Sequence, residues 1–202
     1  MGRKPKENKR SKKTIAIFCE GESEVHYFRM LQRKYNAGNV SAHRIGLKIK
    51  SLGGKKGTDL VDAVKSDLDY DKKIDAEQVY LVFDRDDLTK EQIQQSQSAA
   101  REYGYTIIFS SINFEIWILL HFESFTRSYT KKELYDILSN GQHFDQDYRG
   151  FKGDDYDEYL LDKVATAMEN AENLKINESA MASSDPFTNV QCYVAPIFGR
   201  AD

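Results

Sequence analysis

Val79-Tyr80-Leu81-Val82-Phe83-Asp84-Arg85-Asp86-Asp87 decides the fold. The apolar residues run unbroken and then stop at a block of charge. A run this short reads as a strand, and one without polar alternation reads as a strand covered on both faces, as in a parallel sheet. Upstream, Thr14-Ile15-Ala16-Ile17-Phe18 has the same build, and downstream so does Tyr105-Thr106-Ile107-Ile108-Phe109. A further strand is predicted within Ala42–Lys50. Between them lie helical patterns. Ser23 is placed to cap a helix reaching about Tyr35, Thr58 one carrying Leu60, Val61, Val64 and Leu68, and Thr89 a polar one that ends near Tyr103 before Gly104. Strands alternating with helices imply right-handed crossovers. The expectation is a three-layer α/β sandwich with a mostly parallel sheet of about four strands.

Beyond Phe109 the pattern turns helical. Helices are predicted over Asn113–Phe122, from Thr130 to about Leu138, and from about Asp157 to Asn173. Gly141–Gly153 is loop-like and aromatic, and the stretch holding Pro186 and Pro196 reads as irregular. The expectation is a basic flexible leader (1–13), an α/β core (14–125) and a mainly helical extension packed on that core (126–202).

In parallel α/β sheets ligands bind beyond the carboxyl ends of the strands. Glu20 and the Asp84–Asp87 cluster both fall just past strand ends. Asp84 and Asp86 are spaced i, i+2, which in extended backbone points both to one side. Two carboxylates converging in this way repel unless a cation lies between them. Hard oxygen ligands favour Mg²⁺ or Mn²⁺, and Glu20 can complete the set. Such a site suits phosphodiester cleavage; capping of the following helices is the plainer alternative. Glu115, close after the last of these strands, is open to three roles: ligand, base, or helix N-terminal acid. His121 reads as a packing histidine and Trp117 as core. In Gly53-Gly54-Lys55-Lys56-Gly57, Lys55 and Lys56 are the internal lysines best placed for phosphate contacts, the alternative being a solvated connector. The loop lacks the spacing of a nucleotide P-loop.

Three blocks then carry a resemblance: Cys19-Glu20-Gly21-Glu22-Ser23-Glu24, Phe83-Asp84-Arg85-Asp86-Asp87, and Phe114-Glu115-Ile116-Trp117-Ile118-Leu119-Leu120-His121-Phe122. Together they resemble the RloB-like family over about residues 14–125, with weaker similarity toward Asp185-Pro186-Phe187-Thr188. The third block is the specific one, since the acidic motifs alone would suit any TOPRIM protein. The chain departs from the resemblance at Ile112-Asn113, where relatives commonly show a proline. The resemblance implies a TOPRIM-like core and an association with bacterial restriction and anti-phage loci. It also implies that Glu20, Asp84 and Asp86 are the metal-associated acids, with Glu20 a candidate general acid or base. The expected function is a Mg²⁺- or Mn²⁺-dependent endonuclease acting on DNA or RNA in anti-phage defence. The alternatives are a non-catalytic nucleic-acid- or ATPase-binding subunit and a small RNA-processing TOPRIM nuclease. Expected partners are nucleic acid and an ATPase from the same locus.

Composition narrows the classes. The chain has 202 residues, 40% hydrophobic and 30% charged, enough for one well-buried core. No apolar run is long enough for a transmembrane helix, and the N-terminus carries no secretory or myristoylation pattern. Cys19 and Cys192 form neither a disulfide framework nor a zinc pattern. The reading is cytoplasmic and without membrane contact. The net charge of −3 hides an asymmetry: residues 1–13 are strongly basic and Asp145–Asp162 acidic. The leader is suited to phosphate contact, or is simply solvated. A topoisomerase's strand-passage domain, a primase's template modules and RNA-reading signatures are not expected.

Overall fold

The structure, a computed structural model, describes residues 14–36, 46–71, 76–174 and 177–199. The basic leader and residues 42–45 of the second predicted strand lie outside the described residues. The strands are β1 (Thr14–Cys19), β2 (Gly46–Ser51), β3 (Ala76–Asp84), β4 (Thr106–Ser111) and β5 (Phe187–Thr188). They form one sheet in the order β2-β1-β3-β4-β5. β1 runs parallel to β2 and β3, and β3 parallel to β4, with Ile17 opposite Ile49 and Tyr80, and Val82 opposite Ile108. Among the described residues only the β4–β5 pair is antiparallel.

Among the described residues the sheet therefore has five strands where four were expected. The fifth comes from the C-terminal stretch read as irregular, and two residues are too few for a hydropathy pattern to register. Asn189 prolongs it by side chain. Its Oδ1 accepts from the Phe109 N–H at 2.7 Å, and its Nδ2 donates to the Ile107 carbonyl at 3.1 Å. The amide stands in for one more peptide unit along the edge of β4.

The helices are α1 (Glu22–Asn36), α2 (Gly57–Tyr70), α3 (Lys90–Glu102), α4 (Glu115–Leu120), α5 (Lys131–Leu138), α6 (Tyr148–Phe151), α7 (Asp157–Leu160), α8 (Val164–Glu172) and α9 (Gln191–Phe198). Strand periodicity sorts the core into two layers. Ala16, Phe18, Leu81, Phe83 and Phe109 pack with Leu60, Val61, Val64 and Ile93 of α2 and α3. Ile15, Ile17, Tyr80, Val82 and Ile108 pack on the other face with α1, α4 and the helices of the extension. The α/β three-layer sandwich follows directly.

Local signals hold at two helix starts. Thr89 and Thr130 each form a capping box, with Gln92 and Glu133 as reciprocal partners. Elsewhere they shift. α1 begins at Glu22, so Ser23 lies inside the helix, and α2 is entered through Lys56 rather than Thr58. The helix predicted over Asp157–Asn173 is interrupted by a 3-10 turn at Leu161–Lys163, and α9 forms despite Pro196 in its last turn. α4 is shorter than predicted, and its six residues are buried on all sides.

Candidate active site

Chain order reverses at β1, which has β2 on one side and β3 on the other. A crevice is expected beyond the carboxyl ends at such a switch. One of about 390 Å³ lies there, lined by Glu20, Glu24, Asp84, Asp86, Lys131 and Lys152 among others.

Glu20 extends the β1–β3 ladder by one step, its N–H donating to the Val82 carbonyl at 2.9 Å. Its own carbonyl accepts from the Gly54 N–H at 2.7 Å. Gly53 and Gly54 adopt φ of 66° and 78°, the left-handed region that lets the loop fold back over Glu20. The Glu20 side chain accepts from the Asp84 N–H at 3.3 Å. Burial pushes its carboxyl up, the Asp84 N–H opposes this, and the Asp86 charge adds to it.

Asp84 ends β3 and is 6% exposed, and its Oδ1 is buried without a hydrogen-bond partner among the described residues. Burial raises its carboxyl well above the ordinary range, and Glu24, Glu115 and Glu20 push further the same way. Asp86 sits in the left-handed region at φ 46°, its N–H donating to the Ile112 carbonyl at 3.0 Å. Its Oδ2 pairs with Lys56 at 3.4 Å and its Oδ1 with Lys131, while Lys56 also holds Asp87. Arg85, between the two aspartates, turns away. It donates to Ser111 Oγ at 2.7 Å and to the carbonyls of Met181, Ala182 and Ser184 at 3.3 Å.

Glu115 is fully buried and does not line the crevice. Its Oε1 accepts from Lys152 at 2.8 Å and from the Tyr148 hydroxyl at 3.3 Å, while Oε2 has no partner among the described residues. Lys152 also donates to the Tyr135 hydroxyl at 3.0 Å. His121 is enclosed, bonded to the Trp117 carbonyl at 3.0 Å and the Tyr27 hydroxyl at 3.1 Å. Burial pushes its imidazole down to about 3. Lys55 is exposed on the loop. The Cys19 thiol is buried and pushed up by that burial, so it is not an activated nucleophile.

Sequence reasoning missed Glu24, Lys131 and Lys152. Glu24 is 5% exposed, accepts from the Gly21 N–H at 3.1 Å, and is pushed up to about 7 by burial and the Glu115 charge. A signal for it exists. Glu24 stands with Tyr27, Phe28 and Leu31 at i, i+3, i+4, i+7, so a carboxylate sits on the apolar stripe of α1. The two lysines come from the extension and carry no comparable local mark.

Among the described residues, no three His, Cys, Asp or Glu side chains stand close enough together to hold a metal ion. Asp86 is drawn to its lysines and Glu20 to the Asp84 backbone. The donor set nevertheless suits a hard divalent cation in kind: carboxylates lining one crevice, one with a buried oxygen that no described group bonds.

Also among the described residues, no helix is long and apolar enough to cross a membrane. Against models of known families, residues 15–197 match that of RloB-like protein. No curated protein and no solved structure matches the chain.

Proposed function

The chain belongs to the RloB-like family, and from that premise we propose that it is a metal-dependent endonuclease cleaving phosphodiester bonds in DNA or RNA. One observation carries the reading. Asp84 keeps a buried oxygen with no donor among the described residues, although Glu20, Glu24 and Glu115 all raise the cost of its charge. A fold does not retain such repulsion for stability, because a buried unpaired charge costs several kcal/mol. A bound Mg²⁺ or Mn²⁺ offsets it and supplies positive charge for phosphate oxygens.

Glu20, Asp84 and Asp86 are the assigned cation ligands. Glu20, its carboxyl raised by burial, is also suited to accept and return a proton. Glu115 acts from behind the wall, through Lys152. The role we assign is that of a cytoplasmic anti-phage effector, with nucleic acid as substrate and an ATPase of the same locus as licensing partner.

The test is calorimetric titration of Mn²⁺ into wild type and Asp84→Asn, followed by incubation with single- and double-stranded DNA and RNA. Wild type should bind Mn²⁺ and, with the partner ATPase of the locus added, cut at least one of these, and Asp84→Asn should do neither. Metal binding and cleavage that are indifferent to Asp84 would remove the nuclease reading.

A further inference from the structure

We propose that Lys56 and Lys131 form the phosphate seat of this crevice, and that they compete with a bound cation for Asp86. The inference rests on the nuclease reading above and adds to it the residues that grip the substrate. Lys56 comes from the glycine loop before α2, and Lys131 is the first residue of α5 in the extension. They reach Asp86 from distant parts of the chain, and each takes a different carboxylate oxygen. Two ammonium groups thus hold a two-oxygen anion between them. A phosphodiester presents the same feature in its two non-bridging oxygens. The lysine side chains are 24% and 43% exposed, so both face solvent as well as the acid. Lys152 is different, because its ammonium is committed to the fully buried Glu115.

Asp84 Oδ1, in the same crevice and without a hydrogen-bond partner among the described residues, is independently suited to a cation. A cation that draws Asp86 toward Asp84 takes that carboxylate from the lysines. Lys131 then needs another anion and Lys56 keeps only the exposed Asp87, a partner that solvent screens, so the substrate backbone can engage both ammonium groups. Cation and nucleic acid should therefore strengthen each other's binding, and by linkage they must do so equally. The arrangement also lets a polyanion approach an acid-lined crevice, since the repulsion is offset at its rim.

The experiment uses the full chain, Mn²⁺ alone, and fluorescein-labelled DNA and RNA oligonucleotides titrated in EDTA and in Ca²⁺. Lys56→Ala and Lys131→Ala should each bind the oligonucleotide about tenfold more weakly, as loss of one charged hydrogen bond implies. The salt dependence should become shallower by about one unit for each change. The same variants should bind Mn²⁺ several-fold more tightly, and Lys131→Arg should restore oligonucleotide affinity. Unchanged oligonucleotide affinity and salt slope overturn the seat. So does weaker Mn²⁺ binding in the lysine variants, or wild-type oligonucleotide binding too weak to titrate. Asp84→Asn keeps the two readings apart. If it still binds Mn²⁺, the metal assignment fails, while the lysines stand or fall by the oligonucleotide titration in EDTA.

Discussion

Asp84 is the residue at which function and stability oppose each other. Its carboxyl is buried, raised by desolvation, and further raised by Glu24, Glu115 and Glu20. Replacing it by Asn keeps the shape and removes the charge. In EDTA, Asp84→Asn should therefore be more stable than wild type, by roughly 1–2 kcal/mol. Mn²⁺ should raise the melting temperature of wild type and leave that of the variant unmoved. Thermal unfolding with and without Mn²⁺ reads both effects, and a variant less stable in EDTA would show that the cluster is not repulsive. Glu24 shares the strain, with its carboxyl pushed up to about 7 mainly by burial. Arg85 shows the opposite economy, its guanidinium satisfied by one hydroxyl and three carbonyls, so that it braces the loop between the two aspartates.

At the scale of elements, α4 is the piece with least tolerance. All six of its residues are buried, and its C-terminal neighbour His121 is closed in by Tyr27 and Trp117. Burial holds the imidazole down at about 3, against about 6.5 in an unfolded chain. A depressed histidine favours the native state fully above its unfolded value, and that contribution is lost as pH falls toward the native one. The loss should approach about 1.4 kcal/mol per pH unit below pH 6. The raised carboxyls of Glu20, Glu24 and Asp84 act with the opposite sign. Their contribution is present below the ordinary carboxylate range and fades as pH rises through their raised values. The histidine is isolated by difference. Urea midpoints of wild type and His121→Gln, compared between about pH 7 and about pH 5, should converge as pH falls. Parallel curves would mean that the His121 imidazole binds its proton equally well in the folded and unfolded chains.

Across the whole molecule, the extension is tied to the strand-rich part by charge as well as by apolar packing. Lys152 reaches back to Glu115, Tyr148 donates to the same carboxylate, and Tyr148 contacts Tyr156 at 3.2 Å. Removing one partner of such a pair leaves a buried charge exposed to repulsion. Lys152→Met should cost about 3 kcal/mol, the low end for a buried pair because the lysine is partly solvated. Adding Glu115→Gln should recover most of that loss, since the charge and its cost disappear together. Equilibrium urea denaturation of the two single variants and the double variant measures the coupling. Additive losses would show that the pair contributes no more than its separate contacts.

The layered α/β order, the parallel pairing of the central strands and the placing of Glu20 and Asp84 at their carboxyl ends were determined by the sequence alone. Each depends on short-range rules: unbroken apolar runs, capping residues, and the reach of a strand's last side chains. Tertiary structure alone decided the fifth strand, the burial of Glu24 within reach of the Glu115 charge, and the grip of Lys56 and Lys131 on Asp86. The strand is too short to carry a pattern, and the rest are contacts between residues far apart in the chain. Charge pairing of this kind depends on which surfaces packing brings together and how much water it removes. No local window of sequence contains that information.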